Sequence, residues 1–259
     1  MTLHPTDNLP YTTLHLPVGN GHELYVEACG NPHKDDKGIP VVFLHGGPGA
    51  GIRPKHRERC LGLILRGIFL CTPKELAWFY QAGCSQFFPE LWARYEAVIP
   101  PDERHNMIAA YHRRLTDPNP VVRRAAAVAW SSWEWHTLRL LPPSPEDQHR
   151  PLTDDELDHA VAMACIECHY FMHQCFFDRP DYLLHHAREK AVQLAQFPIH
   201  LVHGRYDMIC PVENAVALHQ ALPHSTLTIV PDAGHAFDEP GIFVKLTEHL
   251  TQFEAKKAP

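Results

Sequence analysis

Ile199-His200-Leu201-Val202-His203-Gly204-Arg205-Tyr206-Asp207 carries the pattern that decides the fold. Its first residues form a short apolar run typical of a buried strand, and a Gly-Arg-Tyr turn then leads to a carboxylate. A similar run, Leu227-Thr228-Ile229-Val230, is followed by Pro231-Asp232-Ala233-Gly234-His235. Helical patterns begin at Glu213 and again at about Gly241. Strands that alternate with helices in this way predict an α/β fold.

Asp207 and His235 thus both lie in loops that follow strands. Open α/β sheets place their functional groups at the carboxyl ends of strands, so we expect the two side chains to meet. The carboxylate would orient and stabilise the imidazole, which would act first as general base and then as general acid. The alternative is a turn aspartate and one of 21 histidines. The position of both residues after strands favours the catalytic interpretation.

An earlier strand-like run, Val41-Val42-Phe43-Leu44, ends in His45-Gly46-Gly47-Pro48-Gly49. Glycines let backbone N–H groups approach a substrate carbonyl, so Gly46 and Gly47 are candidates for an oxyanion hole. A glycine turn after a strand is often only a turn, but the His-Gly-Gly-Pro composition favours the oxyanion role.

The order of acid before histidine places a nucleophile earlier in the chain, on a Gly-x-Ser-x-Gly turn between a strand and a helix. No such pattern occurs in the 259 residues. Ser85 lies in a helical region, Ser131 and Ser132 lie between tryptophans, and Cys60 has no flanking glycine pair. We therefore expect each of these to have a packing or surface role.

Three regions follow from the patterns: an N-terminal part of the α/β core, a helical cap, and a C-terminal part of the core. Their bounds are 1–70, 71–190 and 191–259. The first contains a hairpin with an Asn20-Gly21 turn and a short apolar strand within 61–70. The second contains two capping boxes, at Thr72–Glu75 and at Thr153–Glu156, and the latter opens a helix toward Phe176.

Composition excludes several classes of protein. The net charge is −7 and there is no basic block, so nucleic acid is not an expected partner. No apolar run approaches the roughly 20 residues that span a bilayer, and the first residues show no secretory pattern. We therefore expect a cytoplasmic protein whose eight cysteines are reduced thiols.

No motif in the sequence supports a metal or a cofactor. Cys165-Ile166-Glu167-Cys168-His169 has the spacing of a c-type haem attachment motif, but it lies inside a capped helix, so we attribute it to chance. The scattered histidines show no zinc-type spacing. We expect neither a cofactor nor a metal, and the oligomeric state stays open.

A family resemblance rests on stretches that run along nearly the whole chain. They are His45–Gly49, Leu65–Phe69, Trp78–Gln81, Ala110–Leu115, Ala129–Glu134, Glu167–Phe171, Val202–Asp207 and Pro231–His235. On these stretches the chain resembles the prolyl aminopeptidases, also called proline iminopeptidases. The resemblance implies an α/β-hydrolase fold with an inserted helical cap, a Ser-His-Asp mechanism and peptides with an N-terminal proline as substrates.

The same resemblance implies that a segment is missing. Pro54-Lys55-His56-Arg57 matches the family, but Glu58–Leu65 resembles the helix end and strand that follow the family's nucleophile. About two strand–helix units, each on the order of 30 residues, are then absent between Arg57 and Glu58. The nucleophilic serine and part of the central sheet would be absent with them.

The resemblance also assigns substrate-binding residues. It implies that Glu134 and Glu167 receive the protonated amine of the N-terminal proline, while the aromatic positions, matched approximately by Phe69, Phe79 and Tyr80, face its ring. A solvated helix face is the alternative for the glutamates, and core packing is the alternative for the aromatic residues.

Three functions stay open at this point. The first is a prolyl aminopeptidase, and the second is a catalytically inactive remnant or peptide-binding pseudoenzyme of that family. The third is another cap-bearing hydrolase such as an esterase, against which the cap motifs argue. Hydrolysis of a proline arylamide separates the first two.

Overall fold

The computed structural model of the chain describes residues 12–19, 22–28, 61–141 and 152–255. The strands in these ranges are β1 Thr12–Gly19, β2 His22–Ala28, β3 Leu63–Arg66, β4 Ile199–Gly204 and β5 Thr226–Val230. The helices are α1 Pro73–Tyr80, α2 Pro89–Ala97, α3 Met107–Leu115, α4 Pro120–Thr137, α5 Asp154–Met172, α6 Tyr182–Leu194, α7 Glu213–Ala221 and α8 Pro240–Ala255.

β1 and β2 form an antiparallel hairpin in which Thr12 pairs with Ala28 and Leu16 with Leu24. The ladder is irregular between Pro17 and Gly19. The alternating pattern therefore predicts both strands and their pairing. The expected turn at Asn20-Gly21 lies outside the described residues.

β3, β4 and β5 form a parallel sheet with β4 in the centre. Every residue of β4 is buried, including His200 and His203, as expected for the central strand of a parallel sheet. The α/β class predicted from the sequence is thus confirmed. The strand expected within 61–70 is shorter than predicted, because Gly67 has a φ of 53° and ends it after Arg66. The expected strand at 41–44 lies outside the described residues.

Parallel strands bring their carboxyl ends to one edge of the sheet. Gly204 at the end of β4 pairs with Val230 at the end of β5. The loops that carry Asp207 and His235 begin at these two residues, so the fold itself places both loops side by side.

The described residues between β3 and β4 contain α1 to α6 and three short 3₁₀ turns but no strand. Both capping boxes are present. The side chain of Thr72 accepts from the backbone N–H of Glu75, and that of Thr153 accepts from the backbone N–H of Glu156. In each box the glutamate side chain in turn accepts from the backbone N–H of the threonine. The division into regions 1–70, 71–190 and 191–259 stays a prediction. No helix in the described part of the chain combines the length and apolarity needed to cross a membrane.

An aromatic core holds these helices together. Trp130 and Trp133 of α4 are almost fully buried. Tyr80 stacks on Trp130 with ring centroids 4.4 Å apart, and Tyr95 stacks on Tyr111 at 4.5 Å. Buried aromatic pairs add to the free energy gained from area burial, so α1, α2, α3 and α4 form one packed group.

A disulfide joins Cys71, just before α1, to Cys175, just after α5. The expectation that all eight cysteines are reduced thiols is therefore wrong for this pair. The two residues are 104 positions apart, so no local sequence pattern predicts the bond. Packing between the neighbouring Phe69 and Phe171, whose ring centroids lie 5.6 Å apart, brings the two segments together.

Reduction of this disulfide should destabilise the fold. A cross-link that closes a loop of this size contributes roughly 2–4 kcal/mol, mainly by restricting the unfolded chain. We expect dithiothreitol to lower the melting temperature by about 5–10 °C in a calorimetric scan. A Cys71→Ser/Cys175→Ser double variant should melt at the lower temperature with or without the reductant. Equal melting temperatures for the oxidised and reduced parent would contradict the bond's role.

Candidate functional site

Asp207 and His235 meet as their positions after β4 and β5 predict. The Nδ1 atom of His235 lies 2.8 Å from Oδ2 of Asp207. The Asp207 side chain is fully buried, whereas 16% of the His235 side chain is exposed. The carboxylate thus fixes the ring from the protein side, and the imidazole keeps an accessible edge. Such a pair can accept and return a proton at Nε2, the ring nitrogen that does not contact Asp207.

The Asp207 carboxylate is held by a small backbone loop and by a second histidine. Its Oδ1 accepts from the N–H groups of Ile209, at 3.1 Å, and Cys210, at 2.8 Å. His203 of β4 places Nε2 3.3 Å from Oδ2 of Asp207 and 2.7 Å from the carbonyl oxygen of Cys210. Because Nδ1 of His203 accepts from the Ile68 N–H, Nε2 carries the proton. Burial lowers the pKa of His203, so this ring serves as a neutral support.

The His235 loop is tied to the end of α4. The N–H groups of His235 and Ala236 both donate to the carbonyl oxygen of Leu138, at 2.9 and 3.1 Å. Glu239 receives the N–H of Gly234 and the N–H of Leu140, each at 2.8 Å. The two bonds to Leu138 and the bond from Leu140 join the loop that carries the imidazole to the end of the helix that carries Glu134, and the bond from Gly234 braces the loop internally.

The sheet also contacts the histidine. Arg66, the last residue of β3, donates from Nη1 to the carbonyl oxygen of His235 at 2.8 Å. Gly67 follows, and a Cβ atom there would lie 2.8 Å from Cε1 of the His235 ring. Only glycine therefore satisfies both the positive φ and the close approach of the imidazole. Sequence patterns alone predict no role for Arg66, Glu239 or His203, because their roles depend on contacts that form only in the folded protein.

Cys210 lies beside this pair. Its sulfur and ligand atoms of Asp207 and His235 all lie within 4.8 Å of one another, a set that could in principle hold a metal ion. Burial, followed by the charge of Asp207, raises the pKa of Cys210 well above its usual value. The thiol therefore stays protonated, which makes it a poor metal ligand and a poor substitute for a serine nucleophile.

Glu134 of α4 and Glu167 of α5 form a partly buried pair of carboxylates. The hydroxyl of Tyr80 donates to Oε1 of Glu134 at 2.5 Å, and Nε1 of Trp130 donates to Oε2 of Glu167 at 3.2 Å. Burial, then the neighbouring charge of Glu167, raises the pKa of Glu134 well above its usual value. Two acids in such surroundings favour a shared proton or a bound cation between them.

The aromatic residues surround this pair. Tyr80 packs between Trp130 and Phe171, with centroids at 4.4 and 5.2 Å. Phe79 is only 2% exposed and packs on Trp133, while Phe69 is partly buried beside Phe171. Phe79 thus lies in the hydrophobic core, and the proposed contact of Phe69 and Phe79 with a substrate stays a prediction.

The other predicted components of the catalytic site, the oxyanion hole and a nucleophile, are not found beside His235 in the described part of the chain. Gly46 and Gly47, the candidates for the oxyanion hole, lie outside the described residues, as does Cys60. Within the described ranges no serine hydroxyl hydrogen-bonds to the His235 ring. Ser132 is instead within reach of His136, and Ser225 of His219.

Curated relatives of this chain share one name. The chain is 38% identical to a probable proline iminopeptidase of Leptolyngbya boryana over 320 residues, which covers 96% of each protein. It is 36% identical to a proline iminopeptidase of Xylella fastidiosa, over 92% of this chain and 95% of that protein. For a proline iminopeptidase of Arabidopsis thaliana the identity is 31%, over 92% and 78%.

Solved structures give weaker likenesses. An alpha/beta fold family hydrolase from Bacillus anthracis matches at 14% identity with a TM-score of 0.40, over 77% of this chain and 60% of that one. A thermophilic esterase from Thermogutta terrifontis matches at 18% identity with a TM-score of 0.35, over 78% and 58%. No family model matches the chain.

Proposed function

Because the chain belongs to the proline iminopeptidase family, we propose that it binds peptides with an N-terminal proline at a site of the prolyl aminopeptidase type whose nucleophile is absent. In this site Glu134 and Glu167 hold the substrate's ammonium group. Asp207 and His235 retain the acid–base arrangement of a serine peptidase. Hydrolysis by the chain as it stands is then all but abolished.

One observation carries the proposal. The backbone N–H groups of His235 and Ala236 donate to the carbonyl oxygen of Leu138, the residue that caps α4 one helical turn after Glu134. The acid–base pair and the carboxylate pair therefore lie in one rigid framework.

The chemistry of the carboxylate pair fits a protonated amine. The secondary ammonium of an N-terminal proline carries one positive charge and two N–H donors, so it can take the place of the shared proton and donate one hydrogen bond to each glutamate. Tyr80 donates to Oε1 of Glu134 and Trp130 donates to Oε2 of Glu167, so both carboxylates are held in place. Aromatic rings around the pair would cover the apolar ring of a proline.

In an aminopeptidase the scissile carbonyl of a peptide held by its amine would face the nucleophile and the base. Asp207 would hold the tautomer of His235 in which Nδ1 carries the proton, so that Nε2 accepts one from an attacking hydroxyl. This chain offers no serine in a Gly-x-Ser-x-Gly turn to be that hydroxyl. The chain therefore cannot form an acyl-enzyme, whereas it can still bind the amine.

The length of the alignment supports an internal loss. It runs over 320 residues with the Leptolyngbya relative, whereas this chain has 259, so at least 61 aligned positions have no counterpart here. We place this difference between Arg57 and Glu58, where the sequence resemblance is interrupted. A loss of this size matches the two strand–helix units inferred from the sequence.

The affinity for a proline amine should depend on pH. Since the pKa of Glu134 is raised well above its usual value by burial and by the charge of Glu167, this acid keeps its proton to a higher pH than an ordinary glutamic acid. The protonated form cannot pair with a cation, and the ionised form that can do so appears as the pH rises. We expect L-prolinamide to bind about tenfold more tightly near pH 7.5 than near pH 5, as measured by calorimetry. Binding at an unrelated surface without such a glutamate would not show this pH dependence.

N-acetylprolinamide, which lacks the positive charge, is the matched ligand control and should bind at neither pH. Glu134→Gln keeps the acceptor for Tyr80 but removes the charge, so it should lose most of the pH dependence. Glu213→Gln, at an exposed glutamate that pairs with Lys74, should behave as the parent. Equal affinity for the two amides would refute amine recognition.

A further inference from the structure

Three imidazoles converge on the outer surface of α3 and α5, and the proposed function uses none of them. His112 belongs to α3, and His169 and His173 belong to the last turn and the end of α5. The ring centroids of His169 and His173 are 4.5 Å apart, and that of His112 lies 6.2 and 6.3 Å from them. The sequence does not reveal this group, because His112 lies on a different helix from His169 and His173.

His173 is oriented by its surroundings. Its Nδ1 lies 2.7 Å from the carbonyl oxygen of His169, to which it donates its proton. Its ring stacks flat on Phe176, with centroids 5.2 Å apart and planes inclined by 7°. The lone pair is therefore on Nε2. A hydrogen bond from one ring nitrogen to a backbone carbonyl is the usual support of a histidine that ligates a metal through the other nitrogen.

The spacing of the rings suits a shared ion. A Zn²⁺ ion about 2.1 Å from one nitrogen of each ring places the ring centroids roughly 5 Å apart. The observed separations of 4.5, 6.2 and 6.3 Å bracket this value. The ring nitrogens of the three histidines do not all lie within 4.8 Å of one another in the described structure, so the side chains must rotate to close the site. His169 is exposed and His112 is partly buried, so their rotation between allowed rotamers is inexpensive, while His173 keeps its orientation.

We propose that His112, His169 and His173 bind a divalent transition-metal ion of the Zn²⁺ type, with water at the fourth position. Neutral imidazole is the ligand that such ions prefer.

Metal binding here would join two helices of the helical region. α3 and α5 already touch through weak thiol hydrogen bonds, from Cys168 to the Ile108 carbonyl oxygen at 3.5 Å and from Cys165 to that of Leu115 at 3.3 Å. α5 also carries Glu167. An ion held by both helices binds the folded state only, so it stabilises the fold by mass action.

Calorimetric titration of the whole chain with Zn²⁺ at neutral pH tests the site. We expect one ion to bind per chain with the highest affinity, and saturation to raise the melting temperature by about 5 °C or more. His112→Ala and His173→Ala should each weaken that binding by at least about tenfold. His112→Gln is a second variant with milder packing consequences and should have the same effect.

Two control variants separate this site from others. His159→Ala changes an exposed histidine on the same helix, α5, and should leave the Zn²⁺ affinity within about twofold of the parent. Cys210→Ser removes the thiol beside Asp207 and His235 and should also leave it unchanged. Loss of binding in Cys210→Ser, unchanged binding in both His112 variants, or no Zn²⁺ binding by the parent would each overturn the proposal.

Discussion

Turnover of L-proline p-nitroanilide by this chain should lie about a million-fold below that of the Leptolyngbya relative. Loss of the nucleophile of a serine triad alone costs about this factor, because the base and the oxyanion donors cannot form an acyl-enzyme. The comparison is made under identical conditions in a continuous absorbance assay. The relative is a suitable reference because its aligned region covers 96% of both chains.

Insertion of the segment that we propose is missing provides the matched positive control. Insertion of the relative's unmatched residues between Arg57 and Glu58 should raise turnover at least about a thousand-fold over the parent chain. In that restored protein Asp207→Asn should reduce turnover about 10⁴-fold, because the wrong tautomer of His235 is then held. Parental turnover that disappears in Ser85→Ala would show instead that the chain has its own nucleophile.

Gly204→Ala should destabilise the fold severely, although it adds only one methyl group. A Cβ atom at Gly204 would lie 1.9 Å from the carbonyl oxygen of Gly234 and 2.5 Å from that of Ala233. Both contacts are with backbone, so relief requires the loop that carries His235 to move away from β4. We expect a loss of at least about 3 kcal/mol in the free energy of unfolding.

Denaturant titration of the variant measures this loss. Arg205→Ala is the matched control, because Arg205 is the next residue, its side chain is exposed, and its backbone bond to Val230 is kept. It should stay within about 0.5 kcal/mol of the parent. If the two variants unfold at the same denaturant concentration, the close approach of β4 and the His235 loop is not a feature of the protein in solution.

Local patterns predicted a large part of the described fold. The apolar runs at Ile199 and Leu227, the capping boxes at Thr72 and Thr153, and the helix start at Glu213 all appear in the structure. Each depends on residues close together in sequence. The meeting of Asp207 and His235 was also predictable, because parallel strands bring the loops after them to one edge.

Contacts between remote segments could not be predicted in the same way. The disulfide, the bonds from Leu138 to the His235 loop and the histidine group all join residues far apart in the chain. The strand after Leu63 ended early because Gly67 adopts a positive φ, which the apolar run around it does not reveal. Glu75 shows the same limit: its capping role is local, but its bond to Asn214 is tertiary.

The central claim is that the chain has no active nucleophile, and labelling with a fluorophosphonate probe tests this most directly. This reagent forms a covalent bond with a serine that is activated by a neighbouring base. The parent chain should take up no label under conditions in which the Leptolyngbya relative is labelled to one equivalent, as judged by intact-protein mass. One equivalent of label on the parent, located at a single serine by peptide mapping, would contradict the account.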